Sequence, residues 1–368
     1  MQKKSYRVLA TALAVLLAIG AVVIVVAGAG ARLARRGSSA GTQAGADLSS
    51  AASADGMGGL SQLLPVTPDG NGASYGTYSA SATTASTSSP WVNKYYSKQA
   101  AAQQTSDPAT HYWALLIGIN DYYGNTESNV GSRQDAESLN AYLTKLGWRS
   151  DHILLLRDLP ATASHIVDAI RWLASKTDGS STVVFHYAGH ENWRRSSSED
   201  QGKEIGIWAS DNRMIYEKTL GQELGRVRAS HMWLDFATCR AAGFDEPGMV
   251  TSGRVLTYSS MKSEFSYEQP SWHHSVFGYF LINQAMYGKN GDANHDGKVT
   301  VEEAFSYAKN RVSDYTDGNQ RPVIVDKAGG RMSLTIPKPA SNSTPPSSSQ
   351  PAPAPTATGP KTCVVVCF

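Results

Sequence analysis

The chain reads Ser-Thr-Val-Val-Phe-His-Tyr-Ala-Gly-His from residue 181 to residue 190, and Trp-Leu-Asp-Phe-Ala-Thr-Cys from residue 233 to residue 239. Each stretch is a β-branched, aromatic or otherwise apolar run that ends at a reactive side chain, His190 or Cys239. Buried parallel strands have this composition, and their carboxyl ends meet at one edge of a sheet. Alone, the histidine is explained as a strand-end cap and the cysteine as a small core residue. Together they predict a nucleophile and its base.

The predicted chemistry rests on the supply of thiolate. An unperturbed cysteine thiol has a pKa of about 8.5, so only a small share is thiolate at neutral pH. A neighbouring imidazole raises that share or accepts the proton during attack. Gly189 lets the backbone approach a substrate, and we expect its N–H and that of Cys239 to bind the oxyanion of a tetrahedral intermediate. Such a site performs acyl transfer, most often hydrolysis of a peptide bond.

The spacing of the two residues resembles a known family. His190 precedes Cys239 by 49 residues and Arg240 follows the cysteine, as in caspases, which have a histidine about 50 residues before a cysteine followed by Arg, Gln or Gly. With Trp-Ala-Leu-Leu-Ile-Gly-Ile-Asn at 113–120 and His-Tyr-Ala-Gly-His at 186–190, the region 111–326 resembles the caspase and metacaspase-like cysteine peptidases. The resemblance implies a caspase fold, a His-Cys dyad that forms a thioester acyl-enzyme, and protein or peptide substrates.

The resemblance also bears on P1, the substrate residue before the cleaved bond. Caspases bind an acidic P1 side chain with an arginine, and this chain has Asn129 at the matching position, so acidic specificity is not expected. Metacaspase-like enzymes bind P1 Arg or Lys with acids. Asp135 matches one of these acids, although a first-turn helix acid favoured by the helix dipole explains it equally well. The second acid usually lies where this chain has Ala237; Asp235, two positions further back, is either its substitute or a strand-end acceptor.

Other positions depart from the family pattern or extend it. Glu191 follows the histidine where Gly is common, and Arg240-Ala241-Ala242 replaces the usual residues after the cysteine. These departures fit a divergent peptidase, or a catalytically inactive, calcium-responsive module that binds peptides or partners. Tyr258, Ser259 and Ser260 resemble the strand that pairs with bound peptide in caspases and favour a retained groove; an ordinary polar strand end is the alternative.

A second motif occupies residues 292–303, Asp-Ala-Asn-His-Asp-Gly-Lys-Val-Thr-Val-Glu-Glu. It fits the twelve-residue EF-hand calcium loop at every position. The predicted Ca²⁺ ligands are the side chains of Asp292, Asn294 and Asp296, the carbonyl of Lys298, Thr300 through a water, and a bidentate Glu303. A turn that merely caps a helix is the alternative. A single loop is expected to bind Ca²⁺ with a Kd of about 10⁻⁴ to 10⁻³ M and to order the neighbouring substrate groove.

The amino-terminal region predicts a membrane segment. Residues 8–31 are almost uninterruptedly apolar and follow a short basic stretch. A bilayer core takes about 20 helical residues, so we predict an uncleaved single-pass transmembrane helix. A signal peptide cleaved among the small residues from Ala27 to Ala31 is the alternative. Either interpretation places the bulk of the chain outside the cytoplasm, at the cell membrane or secreted.

Composition divides the chain into four parts. Residues 1–36 hold the anchor or signal segment, 37–110 a Ser/Ala/Gly/Thr-rich linker, 111–336 a single peptidase-like domain and 337–368 a Pro/Ser-rich tail. The linker and tail hold too few large apolar residues to offset the entropy of ordering, so we expect disordered flanks. A net charge of +2 over 368 residues, with no basic stripe, excludes nucleic-acid binding. Nothing in the sequence decides the oligomeric state.

Within residues 111–336 the periodicity alternates between strand and helix. The predicted strands cover 113–119, 153–156, 183–187, 232–236, 255–258 and 320–325, and the predicted helices cover 133–146, 162–173, 217–227, 275–287 and 301–312. Alternation of this kind predicts an α/β fold, a mainly parallel sheet with helices on both faces and a site at the carboxyl ends of the strands. The segment Asp121-Tyr122-Tyr123 is either a wall of that site or a plain loop.

Three cysteines are too few for a fold built on disulfides. Cys239 belongs to the predicted site, which leaves Cys363 and Cys367 near the carboxyl terminus. These two could pair with each other, with another chain, or with Cys239 as a redox latch.

Overall fold

The computed structural model of the protein describes residues 76–77, 107–198, 202–337 and 364–365. The predicted membrane segment, residues 8–31, lies outside the described residues, and the anchor stays a prediction. Among the helices that the structure describes, none has the length and apolar character needed to cross a membrane.

The strands of the described residues fall into one large and two small sheets. Their bounds are β1 Gly76–Thr77, β2 Tyr112–Gly118, β3 Ile153–Arg157, β4 Thr182–Ala188, β5 Glu191–Arg195, β6 Lys203–Trp208, β7 Arg213–Tyr216, β8 His231–Ala237, β9 Arg254–Tyr258, β10 Tyr267–Gln269, β11 His274–Ser275, β12 Val323–Asp326 and β13 Val364–Val365.

The helices lie between these strands. They are α1 Ser132–Lys145, α2 Ala163–Lys176, α3 Glu217–Leu224, α4 Val276–Gly278 and α5 Val301–Tyr315, and α4 continues directly as the π-helix Tyr279–Tyr287. Short 3₁₀ turns occupy Pro108–His111, Ser150–His152, Ala241–Gly243 and Pro270–Trp272. Thr162 caps α2 as predicted, because its side chain accepts a hydrogen bond from the N–H of His165.

The large sheet has the strand order β12-β9-β8-β4-β2-β3. All its pairs are parallel except that between β12 and β9. Every residue of β2 and of β4 is buried, as expected for central strands covered on both faces. One face packs against α2 and α3, and the other packs against α1, α4 with its π-helix, and α5. The predicted mainly parallel α/β architecture is confirmed.

The last strand of this sheet begins three residues later than predicted. Gln320, the predicted first residue, instead accepts a hydrogen bond from the N–H of Tyr267 at 3.0 Å and donates one to the carbonyl of Ser259 at 2.9 Å. It is fully buried and links β10 to the loop after β9. A polar side chain that satisfies two backbone groups fixes this turn before the strand starts.

Each of the two small sheets includes two residues from a flank that the composition predicts to be disordered. β1, from the predicted linker, pairs in parallel with β7 at the edge of the sheet β1-β7-β6-β5. β13, from the predicted tail, pairs antiparallel with β10 in the sheet β11-β10-β13. A sheet edge presents unpaired backbone N–H and C=O groups, so two residues of low-complexity chain can add to it without forming a core of their own.

Candidate active site

The two central strands bring the histidine and the cysteine together. Ala188 at the end of β4 pairs with Ala237 at the end of β8, and His190 and Cys239 each follow two residues later. The hydroxyl of Thr238 donates a hydrogen bond of 2.7 Å to the carbonyl of Gly189 and ties the two turns together. The reactive side chains therefore stand at equivalent positions on neighbouring strands.

His190 is held in one orientation by its surroundings. Its ring is stacked on that of Tyr122 with centroids 4.8 Å apart. The backbone N–H of His190 donates a hydrogen bond of 2.8 Å to the Tyr122 hydroxyl. Its Nε2 lies 2.7 Å from the carbonyl oxygen of Glu127. Because a carbonyl can only accept, Nε2 carries the hydrogen and Nδ1 is the basic nitrogen. Tyr122 thus forms a wall of the site. The contact of Glu127 could not be predicted from the sequence, because it is made by the backbone carbonyl and does not depend on the side chain.

Gly189 is required by the crowding around it. A Cβ at this position would lie 2.7 Å from the hydroxyl of Tyr187 and 2.9 Å from that of Tyr122. The Tyr187 hydroxyl in turn donates to the carbonyl of His190 at 2.5 Å. Two phenol oxygens therefore fix the backbone that carries the histidine, and only glycine leaves space for both.

The turn that carries Cys239 rests on serines after β9. The hydroxyl of Ser259 accepts from the N–H of Thr238 at 3.0 Å and donates to its carbonyl at 2.7 Å, and Ser260 also donates to that carbonyl at 3.2 Å. Tyr258 donates to the carbonyl of Phe244. All three residues expected to line the groove are buried. Ser259 and Ser260 hold the turn at Thr238, and a role of the three residues in binding a peptide stays a prediction.

The sulfur of Cys239 lies against the start of β10. The N–H of Ser266 donates to Sγ at 3.2 Å, and the Ser266 carbonyl oxygen lies 3.7 Å from Sγ. Cys239 is disulfide-bonded, and a disulfide sulfur has no hydrogen to donate, so the second distance is a packing contact. Cys363 and Cys367 lie outside the described residues. The predicted nucleophile is thus present in its oxidised form.

Two acids lie next to each other beside β10. Asp135 is fully buried and accepts from His274 Nδ1 at 2.8 Å and from the hydroxyl of Ser275 at 2.5 Å. Glu268 on β10 accepts from the N–H groups of Val130 and Gly131 at the start of α1 at 2.6 and 3.1 Å. Burial raises the pKa of Glu268 to about 7, and the nearby charge of Asp135 adds to the rise. The sequence did not identify Glu268 as a site residue, because a strand of three residues is too short to show a periodic pattern.

The alternative second acid is occupied elsewhere. Asp235 is fully buried and its carboxylate lies 2.7 Å from His186 Nδ1, while the hydroxyl of Thr257 donates to its other oxygen at 2.5 Å. Both oxygens of Asp235 thus have partners, and its role as the second pocket acid stays a prediction. Asn129 is also buried, and it donates to the carbonyl of Ile119 at 2.9 Å.

The predicted calcium loop has an ordered amino-terminal half. The N–H of Asp296 donates to side-chain oxygens of Asp292 and Asn294 at 3.1 and 2.9 Å, so these donors surround one turn, and Gly297 has a φ of +81°. The oxygen donor set suits a hard cation such as Ca²⁺.

The carboxyl-terminal half of that loop is engaged in capping. Glu303 accepts from the N–H and hydroxyl of Thr300 at 3.0 and 3.1 Å and completes a capping box for α5. Lys298 donates its N–H to Asp296. Among the residues that the structure describes, no group of three or more His, Cys, Asp or Glu side chains is placed to hold a metal. Calcium binding therefore stays a prediction, in which Glu303 has to turn from its cap toward the loop.

The described residues form a mainly parallel α/β sheet, with a histidine and a cysteine directly after its two central strands. The model of the caspase domain family matches residues 111–330, which is more than half of the 368 residues. The chain belongs to this family.

Individual relatives match shorter stretches. Metacaspase-3 of Arabidopsis thaliana is 32% identical over 123 residues, which cover 31% of this chain and 33% of that protein. Metacaspase-1 of Meyerozyma guilliermondii is 30% identical over 108 residues, 27% of this chain and 26% of that protein. The chain thus spans about a third or less of the curated relatives it matches. A crystal structure of a Geobacter sulfurreducens protein aligns with a TM-score of 0.45 and 16% identity, over 58% of this chain and 92% of that one.

Proposed function

We propose that the protein is a cysteine endopeptidase in which Cys239 attacks the peptide carbonyl and His190 transfers the proton. The observation that supports it best is the equivalent position of the two residues after β4 and β8, with Nε2 of His190 fixed by the carbonyl of Glu127. This contact leaves Nδ1 as the base, and a fixed imidazole accepts a thiol proton without the cost of ordering its ring.

In the reduced protein the reaction takes two stages. The thiolate of Cys239 attacks the carbonyl carbon, and the N–H groups of Gly189 and Cys239 stabilise the oxyanion. Protonated His190 then gives its proton to the leaving amine, and a thioester remains on Cys239. Water, deprotonated by His190, hydrolyses that thioester and restores the thiol.

The substrate in this proposal adds to β10 as a strand. Ser266 contacts the sulfur of Cys239 and directly precedes β10, so a peptide that pairs with this edge passes the nucleophile. A sheet edge binds extended peptides through main-chain hydrogen bonds once no other strand occupies it. Glu268 lies on β10, and Asp135 is bonded to His274 and Ser275 on the neighbouring β11. Together the two acids favour Arg or Lys at P1, because a basic side chain compensates two buried carboxylates.

The proposed calcium dependence is transmitted by α4 and its π-helix, which connect Asp135 to the calcium loop. Ser275 holds Asp135 at one end of α4, and the π-helix that continues α4 ends near the calcium loop, where the N–H of Gly291 donates to the carbonyl of Ala285. Binding of Ca²⁺ at residues 292–303 would order this connection and favour one position of Asp135. The effect would be a higher rate with P1 Arg or Lys, and a smaller one with neutral P1 residues.

We also propose an extracytoplasmic location. The apolar segment 8–31 supports a membrane anchor or a secretion signal. The disulfide at Cys239 fits an oxidising compartment, because such bonds are rare in a reducing cytosol.

The test is hydrolysis of a set of peptides that differ at P1, by the chain reduced with dithiothreitol, in Ca²⁺ and in chelator. We expect the wild type to cleave after Arg or Lys and Cys239→Ala to lose all cleavage. Cys363→Ser is the matched control and should keep the activity of the reduced wild type. If the reduced wild type cleaves no peptide under any calcium condition, the protein is the inactive peptide-binding module instead.

A further inference from the structure

The carboxyl-terminal strand lies on the edge that the proposed substrate would use. Val365 pairs with Tyr267 and Val364 pairs with Glu268 in an antiparallel ladder. On its other edge β10 is paired with β11, where Gln269 lies opposite His274. Both edges of this three-residue strand are therefore filled. A peptide cannot pair with β10 while β13 is in place.

The reactive sulfur is blocked at the same place. Cys239 is disulfide-bonded, and its sulfur accepts a hydrogen bond from the N–H of Ser266, the residue directly before β10. The chain has three cysteines, and the other two, Cys363 and Cys367, flank β13. If the disulfide of Cys239 is formed within the chain, its partner is therefore Cys363 or Cys367, on either side of β13.

The two candidate partners lie on opposite sides of β13 in the sequence. Cys363 directly precedes Val364, and Cys367 follows Val365 by two residues. A disulfide from Cys239 to either of them therefore ties β13 to the turn that carries the predicted nucleophile.

We propose that the segment around β13 is an inhibitory strand that fills the peptide edge of β10 and blocks Cys239 in a disulfide until a dithiol reductant releases it. The inhibitory effect rests on the proposed peptidase function, whereas the disulfide and its release do not. The occupant is part of this chain, so inhibition needs no partner protein and is independent of protein concentration.

Release is a thiol–disulfide exchange with a balanced outcome. A thiolate of the reductant attacks the tail sulfur, the bond between that sulfur and Sγ of Cys239 breaks, and Cys239 leaves as a thiolate. The second thiol of the reductant then closes its own disulfide and expels the tail thiolate, which takes a proton from water. One dithiol is oxidised by two electrons, and one protein disulfide becomes two thiols. Attack on the tail sulfur is favoured because Cys239 beside an imidazole is the better leaving group.

Without the disulfide the strand should bind only weakly. Two ladder residues contribute little, but the tail remains tethered and acts at a high effective concentration. The reduced wild type should therefore be active but partly inhibited by its own tail. Val364→Pro/Val365→Pro removes both strand N–H groups and should raise this activity, while the matched Val364→Ala/Val365→Ala keeps them and should raise it less.

The first measurement is peptide mapping of the full chain by mass spectrometry without reduction, together with alkylation of Cys239. We expect a peptide that contains Cys239 linked to one that contains Cys363 or Cys367, and alkylation of Cys239 at least about tenfold faster after dithiothreitol. Cys363→Ser/Cys367→Ser should alkylate at the reduced rate without dithiothreitol, and should cleave peptides without it. Cys363→Ser and Cys367→Ser, each made alone, identify the partner, because only one of the two variants should lose the linkage.

Each outcome decides between the two proposals. A free Cys239 thiol in the unreduced chain, or a Cys239 linked only between chains on a non-reducing gel, overturns the inhibitory strand whether or not peptides are cleaved. A linkage of Cys239 to Cys363 or Cys367 within one chain that dithiothreitol opens, with peptide cleavage appearing in step, supports it. The same linkage in a chain that stays inactive after reduction supports the strand as a block of the thiol and overturns the peptidase function.

Discussion

The carboxylate of Glu191 forms an ion pair with the guanidinium of Arg240. The first residue directly follows His190 and the second directly follows Cys239, so the two departures from the family pattern contact each other across the site. Burial raises the pKa of Glu191 to about 7, and the charge of Arg240 opposes that rise. The departures thus act as a compensating pair that joins the histidine turn to the cysteine turn.

Removal of one member of this pair should be costly. Arg240→Ala leaves the Glu191 carboxylate buried without its cation, and we expect the free energy of unfolding to fall by about 3 kcal/mol. Glu191→Gln/Arg240→Met should recover most of this loss. The control is Arg321→Ala, since Arg321 pairs with Glu264 but has a side chain 59% exposed, and it should lose about 1 kcal/mol or less. Urea unfolding measures all three, and equal losses in the two single variants would contradict the prediction.

Gly189 should not tolerate a side chain. Gly189→Ala forces a Cβ against the hydroxyls of Tyr187 and Tyr122, so we expect a loss of about 1–3 kcal/mol of stability. The rate of the reduced enzyme should fall at least about tenfold, because the His190 turn moves. Gly330→Ala is the control, since a Cβ there meets no atom within 4 Å. Wild-type rates in Gly189→Ala would rule out this account of the glycine.

The stability of the fold should depend on pH through Glu268. Its pKa is about 7 in the folded chain and near the ordinary 4.5 when unfolded, so the folded chain binds a proton that the unfolded chain releases. The stabilisation is full below about pH 4.5 and is lost as the pH rises through about 7. Glu268→Gln should lose less stability than the wild type between pH 5 and 8, as measured by urea unfolding. If the free energy of unfolding changes with pH in the same way in both proteins, Glu268 is not the group that causes the pH dependence.

Calcium should stabilise the chain through residues 292–303. With a Kd of about 0.5 mM, 5 mM Ca²⁺ should add about 1.4 kcal/mol and raise the Tm. Asp296→Asn should abolish the shift, because Asp296 is one of the predicted ligands. Asp314→Asn, an exposed acid on α5 outside the loop, should keep it. A shift that survives in Asp296→Asn would assign the effect to another site.

The central strands and their reactive ends were predictable, because each is encoded by a short continuous stretch of sequence. Continuous apolar runs mark buried parallel strands, and the chemistry stands where each run ends, at His190 and Cys239. The order of elements followed from the same periodicity. Gln320 shows the limit, since its two backbone partners lie 53 and 61 residues away in the chain and shorten the strand that the pattern predicts.

The acid pair and the two added strands could not be found in this way. Glu268 meets the start of α1 across 136 to 138 residues, and no local pattern encodes that contact. β1 and β13 are two residues each and draw their stability from edges that other segments supply. The side chains of Ser259 and Ser260 followed the family pattern in type, but their direction depends on the turn at Thr238.

The position of β4 and β8 in the middle of the six-stranded sheet has a consequence for hydrogen exchange. Amides of central strands exchange only when the whole domain unfolds, whereas those of a short edge ladder exchange by local opening. The backbone that carries the histidine and cysteine should therefore be among the slowest to take up deuterium. The β10–β13 ladder should be among the fastest, so that the edge can open and close while the geometry of the reacting groups stays unchanged.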